Sequence, residues 1–511
     1  MLKIIYNLIC NIMSILKSRT ILISIIFLFS TIGFLIALDR YQFLNEKVFS
    51  LINPFNPVKT YSEELNNKIL DSTTWQDPRN LFPIFAYNIP SNTNNLASSL
   101  KIIEKGGINI LINGNYGWMP DPLKLREAFI QAKVLKLKWI AIIENECKDD
   151  YIFSNTNDET NKDIKKFLKL FNDDYIYGWY IWDEPGKNRK YCSPFNLIPN
   201  DDFADINRIV KQIRRDNVFR AKLDFINLFP TYWSETKNLS EYENYLNNFF
   251  YSQEFKPRVL CFDHYPFLFQ EKGGFRKDYF ANLEIIRKKS LQWNIPFWMI
   301  VLSSGHDNYK NPTFEEIRFQ VYSALAYGAK GIGYYLYSRS FEQVGYRSWI
   351  LENFVDNDNV ADSLHGPLFV PVQNLNKQIQ SVGKILSNSN SIGVLHLSDH
   401  PNGQVNINSI LDEKLKNLFY LDTIDSGIDS KSDTDLLIGF FNEINNNLNK
   451  RLLIVNKNFN KLIKTKINFQ RKLSIKKLNK VTGKLEEYNN IQSLEIEIAP
   501  GDGELYVFDE N

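Results

Sequence analysis

From residue 79 onward, short apolar runs alternate with longer stretches in which apolar residues recur every three or four positions. Eight such runs follow one another, at 82–87, 108–113, 138–143, 177–182, 220–228, 258–262, 296–302 and 330–337. Each has the length of a strand and most are largely apolar rather than alternating, the pattern of strands buried on both faces. The stretches between them carry helical periodicity with recognisable ends. Asp121-Pro122 opens one; Thr313 with Glu316 makes a capping box for another that ends at Gly328; the last starts at Pro371 and runs to about residue 387. Eight β-α repeats, with parallel strands that need covering helices, predict an α/β protein whose 79–390 segment closes into a (β/α)8 TIM barrel. An open doubly wound sheet is the alternative, but no glycine-rich phosphate loop follows the first run.

The pattern changes at both ends of the barrel. Over 435–511 the runs LLIGFFNE, RLLIVNKN, TKINFQ, LSIKKLN, SLEIEIAP and GELYVF, separated by Asn, Lys and Gly, predict a small antiparallel β-sandwich, with 391–434 as the junction. At the other end residues 20–38 carry no charge, and at 1.5 Å per residue a run of that length spans a hydrocarbon core of roughly 30 Å. Lys3, Lys17 and Arg19 precede it, so residues 1–19 are expected in the cytoplasm, 20–38 as a transmembrane anchor, 39–78 as a linker and the barrel outside the membrane, periplasmic or extracellular. A cleaved signal peptide is the alternative; the run exceeds a normal signal core and no small-x-small site follows it.

Composition narrows the partners. The chain is 44% hydrophobic and 14% aromatic, ample for a large core, and its formal net charge of +2 offers no basic field for nucleic acid. Cys10, Cys147, Cys192 and Cys261 are too scattered for a metal site, and no cofactor is expected. Cys147 and Cys192 fall just beyond the third and fourth runs and could bridge in an oxidising compartment, whereas Cys261 lies inside a run and belongs to the core.

A parallel barrel keeps its chemistry at the C-terminal ends of its strands, and the residues collected there are Asn88, Trp118, Glu144, Asp183, Glu184, Asn227, Tyr232, Asp263-His264-Tyr265, Ser303 to Asp307, and Tyr337. Carboxylates, amides and aromatic rings in this mixture suit a sugar: rings stack on its faces, amides and carboxylates bond its hydroxyls, and two carboxyl groups serve as acid and as nucleophile or base. Glu184, among Trp182, Tyr180 and their neighbours, is the expected proton donor, because partial desolvation favours the protonated form. Asp263 is the expected second carboxylate, with Asp307 and Glu144 behind it. If it acts through a water, the two carboxyls should stand about 6.5–9.5 Å apart. Asp183, Asn88, Trp118, Glu144, Tyr265, Asp307 and Tyr337 are the expected substrate contacts. His264 and His306 lack metal-ligand spacing, and no G-x-S-x-G elbow accompanies Ser303-Ser304.

Three motifs, YGWYIWDEP (177–185), FDHYPF (262–267) and QVYSALAYGAKGIGYYLY (320–337), resemble clan A glycoside hydrolases, nearest to the family 42 β-galactosidase-like barrels, over about residues 80–390. VNKN, TGK and APGDGELYVF are similar to the accessory domain that follows such barrels. The resemblance implies an acid/base Glu preceded by Asn at the end of the fourth strand and a nucleophilic Glu at the end of the seventh. Glu184 matches the first, with Asp183 where the Asn usually stands; PFWMIVLSSGHD supplies no Glu for the second. The expected function is therefore a membrane-anchored glycosidase acting on an extracytoplasmic oligo- or polysaccharide. A catalytically silent glycan-binding protein is the alternative.

Overall fold

The computed structural model describes residues 81–87, 96–112, 129–142, 176–186, 202–215, 220–232, 238–338, 350–351, 366–397, 404–406, 413–426, 435–444 and 449–509. The apolar run at 20–38, the linker to residue 78, and Cys10, Cys147 and Cys192 lie outside them. Among the described residues no helix is long and apolar enough to cross a membrane.

Strands β1 (Ile84–Tyr87), β2 (Ile110–Ile112), β3 (Lys138–Ile142), β4 (Ile176–Asp183), β5 (Leu223–Leu228), β6 (Leu260–Asp263), β7 (Phe297–Leu302) and β8 (Ile332–Tyr335) pair in sequence order, all parallel, and β8 returns to β1 to close a barrel. Every run expected to be a strand is one. Helices around the barrel include α1 (Leu96–Lys105), α2 (Asp202–Arg215), α3 (Leu239–Ser252), α4 (Tyr279–Trp293), α5 (Phe314–Tyr327) and α6 (Phe369–Leu386). Helix α5 starts in the expected capping box, with the Thr313 hydroxyl accepting from Glu316 N–H and the Glu316 carboxylate accepting from Thr313 N–H, and stops at a left-handed Gly328.

Aromatic rings rather than branched aliphatics fill the barrel. Phe85 on β1 meets Phe225 on β5 at 5.8 Å, across the barrel, and Trp298 on β7 touches both. A side chain at Gly333 on β8 could not coexist with this arrangement, since its Cβ would lie 2.0 Å from the Phe85 ring. These contacts define the inward face. Two residues along from them, toward the C-terminal mouth, Tyr87, Asn227 and Tyr335 share it.

Strand β4 breaks that alternation. Its pairing skips Tyr177 opposite β3 and Ile181 opposite β5, two irregularities that each add a residue on β4 alone. The inward positions therefore run 177, 180, 183, with Tyr177 on Trp298, Tyr180 on Phe225, and Asp183 opposite Asn227. Bulges that re-aim a side chain in this way are frequent beside functional sites.

After α6 the chain passes directly into an antiparallel sheet of β9 (Ser389–Leu397), β10 (Gln404–Asn406), β11 (Leu421–Ser426), β12 (Leu436–Glu443), β13 (Asn449–Asn456), β14 (Ile463–Leu478), β15 (Leu485–Ile498) and β16 (Gly503–Asp509). The expected sandwich is realised as one continuous sheet curled around α7 (Glu413–Phe419), whose Phe419 ring contacts both Phe440 and Phe508. Two runs expected as separate strands form the single β14, because Gln470-Arg471-Lys472 between them pass through a register irregularity without turning. Helix α5 belongs to both halves. It lies against β7 on one side, while on the other a Cβ at Gly439 of β12 would stand 2.3 Å from the Ala326 carbonyl oxygen. Arg318 Nε donates to Pro500 O at 3.0 Å, and Phe459 packs on Phe267 and Phe319.

Candidate functional site

Three acidic residues come together at the mouth. Asn227 Nδ2 donates to Asp183 Oδ1 at 3.0 Å and to Asp263 Oδ1 at 2.8 Å, so one amide joins the ends of β4, β5 and β6. Two oxygens bonded to a single amide nitrogen stand roughly 5 to 6 Å apart. The amide can face only one way: turned over, its oxygen would point at two carboxylates. Asp263 is 4% exposed and faces inward with Cys261, while Phe262 between them packs outward on Phe297. The burial that pushes the Cys261 thiol well up is reinforced by the charges of Asp263 and Asp183, which places both carboxylates over the barrel interior.

Glu184 follows at a left-handed φ of 48°, with its N–H donating to Asn227 O at 2.7 Å. A non-glycine residue held in that region is strained and needs its surroundings to keep it there. The residue is half-buried. Its charge reaches the Tyr265 hydroxyl: burial pushes that phenol well up, aided by the charges of Asp263, Tyr335, Tyr232 and Glu184, in that order. Tyr265 is thus a donor that stays protonated within reach of both charges.

Rings wall this acidic floor. Tyr265 stacks on Tyr335 at 5.6 Å, and His306, whose Nδ1 lies 2.9 Å from Ser304 O, packs edge-on against both. Tyr87 and Tyr180 share a 2.9 Å hydroxyl contact beneath them. Burial and then the Asp183 charge push the Tyr180 phenol well up, so it too remains a donor. Tyr232 and Tyr309, with hydroxyls 3.2 Å apart, extend the wall on the β5 and β7 side.

Of the residues expected at the site, Asp183, Glu184, Asp263 and Tyr265 meet there. Tyr337 does not: it is fully buried, its ring packs on Tyr334, and a Cβ at Gly106 would lie 2.1 Å from its hydroxyl, which puts it in the helical shell. Strand β8 ends at Tyr335, and that ring takes the wall position instead. Asp307 is exposed at a left-handed φ of 44° and is not among the partners of Asn227. Asn88, Trp118 and Glu144 lie outside the described residues. His264 turns away from the mouth to bond Asn282 at 2.9 Å, and Asp224 is held by Arg214 and Arg258 on the outer face. Among the described residues no cluster of His, Cys, Asp and Glu could hold a metal. Sequence alone gives Asn227 no role beyond its place at the end of the fifth strand and Tyr180 none beyond that of a neighbour to Glu184, and it does not mark Tyr335. The inward parity of Asn227 after Phe225 is a signal that sequence carries; the β4 bulges are not.

No protein-family model matches the chain, and no curated protein matches it. Solved structures do. A catalytic mutant of a family 42 β-galactosidase from G. stearothermophilus is 9% identical, with 84% of this chain and 98% of that one covered and a TM-score of 0.51. A β-galactosidase from Bacillus circulans sp. alkalophilus is 10% identical, with 84% and 99% covered and a TM-score of 0.49. What the chain shares with the first of these is a closed parallel barrel with an added β domain. At these identities the likeness is one of fold.

Proposed function

We propose that the protein is a glycoside hydrolase in which Glu184 is the general acid and Asp263 the second carboxylate, acting on an oligo- or polysaccharide outside the cytoplasmic membrane. The observation that carries this reading is the Asn227 bridge, which joins Asp263 to Asp183 through its side chain and holds the backbone N–H of Glu184 on its carbonyl. Tyr265, Tyr335 and Tyr180 supply the stacking surface and protonated donors that a sugar needs. Uncharged residues 20–38, preceded by Lys3, Lys17 and Arg19, support the anchored topology.

Turnover of aryl glycosides and polysaccharides by the full-length protein should fall about 10²- to 10⁴-fold in Glu184→Gln and in Asp263→Asn. Intact cells should degrade an impermeant polysaccharide as fast as lysed ones; activity seen only after lysis would remove the extracytoplasmic reading. A second reading, a glycan-binding protein without turnover, is favoured by one observation: β7 ends in Ser303-Ser304, with no carboxylate where the resemblance implies a nucleophile. Sugar binding without hydrolysis in the unsubstituted protein would decide for it.

A further inference from the structure

Resting on the glycosidase reading, we propose that the mouth selects sugars bearing an anionic substituent, carboxylate or sulfate, and that Arg276 is the residue that recognises it. Arg276 stands on the loop after β6. Its guanidinium lies 3.7 Å from the Tyr232 ring centre and 5.6 Å from that of Tyr309, and Nη2 makes one long bond, 3.4 Å, to the Tyr309 hydroxyl. Tyr232 connects it to the acidic floor: its hydroxyl lies 3.5 Å from Tyr265 N, and its phenol feels the charges of both Asp263 and Arg276.

What marks Arg276 is that no counter-ion pairs with it among the described residues. Arg214, Arg287, Arg318 and Arg451, similarly screened from water, each hold a carboxylate at 2.6, 2.7, 4.0 and 3.1 Å. Arg276 forms no ion pair among the described residues, and its Nε is buried without a hydrogen-bond partner. A guanidinium carries five donors in a rigid fork, and leaving them unmatched in a half-buried place is costly. Ring stacking holds the plane of this fork without satisfying it, which leaves room for a bidentate anion. Among the described residues the rest of the mouth is acidic through Asp183, Glu184 and Asp263, so the Arg276 side is where an anionic group is tolerated. That asymmetry sets the direction in which such a sugar lies.

The test compares matched ligands on the full-length protein in detergent by calorimetry: glucose, glucuronate and glucose 6-sulfate, and the three galactose counterparts. An anionic member of a set is expected to bind at least about tenfold more tightly than its neutral parent, and which anion wins separates carboxylate from sulfate. Arg276→Gln should bring that ratio close to one, Arg276→Lys should retain part of it, and raising salt from about 50 to about 500 mM should shrink it. A ratio near one in the unsubstituted protein, or a ratio that survives in Arg276→Gln, overturns the assignment. Neutral sugars bound without any anion preference would sink this inference alone, whereas no sugar bound at all would sink the glycosidase reading with it. Should Arg276→Gln fail to fold, the ratio in the unsubstituted protein and its salt dependence still decide.

Discussion

The two histidines that follow β6 and β7 show how the same residue type takes different work from its surroundings. His306 faces the mouth between Tyr265, Tyr309 and Tyr335. His264, one residue beyond the inward Asp263, points the other way into the shell, where burial, opposed by the Asp278 charge 3.8 Å away and aided by Arg276, lowers its pKa to about 4. It faces Asn282, Asp278, Tyr279 and Tyr232 and is neutral in the folded protein at neutral pH. A folded value below the unfolded one means that protons bind the unfolded chain first. The contribution of His264 is then complete above about pH 6.5 and is lost as pH falls toward 4, worth ~3 kcal/mol in all. Urea unfolding of His264→Asn against the parent between those pH values should show that slope reduced by about this amount; an identical slope would refute the buried neutral imidazole. Glu184 and Asp263 were readable as candidates because each ends an apolar run. Asn227 was readable as a residue at a strand end but not in its role, since nothing local distinguishes an amide that joins two carboxylates from any other amide.

Period and punctuation carried the elements. Eight largely apolar runs became eight barrel strands, and the Thr313, Glu316 and Gly328 signals bounded α5 as expected. The errors came where a strand departed from regularity. Strict alternation from Tyr180 would turn Trp182 inward and Asp183 outward; the residue added at Ile181 reverses this and brings Asp183 to Asn227. In β14 the polar Gln470-Arg471-Lys472 reads as a break, yet the long pairing with β15 carries the strand through it. Helix α5 supplies the prediction proper to this level. Its Ala326 backbone touches β12 at Gly439, so Gly439→Ala should force sheet and helix apart and cost about 2–4 kcal/mol, measurable as a lowered denaturation midpoint. Unchanged stability would mean that this contact is not tight.

The barrel and the sheet form one compact unit, in which α5 and the Phe267, Phe319 and Phe459 rings bury apolar surface between them and Lys330 Nζ donates to the carbonyls of Leu386 and Ser389 where one gives way to the other. A chain ending at residue 388 should therefore expose the outer face of α5 and melt at least about 10 °C below the full chain in scanning calorimetry. Equal melting temperatures would show the barrel to be independent. Sequence by itself determined the eight-stranded barrel, the β domain after it and the acidic residues at the ends of β4 and β6, since burial writes its period directly into the order of apolar residues. Only the tertiary structure decided which of those residues meet. Bulges in β4, the end of β8 at Tyr335 rather than Tyr337, and the Asn227 bridge all depend on pairing between strands far apart in the chain, and a one-residue change in such pairing moves a side chain from one face to the other.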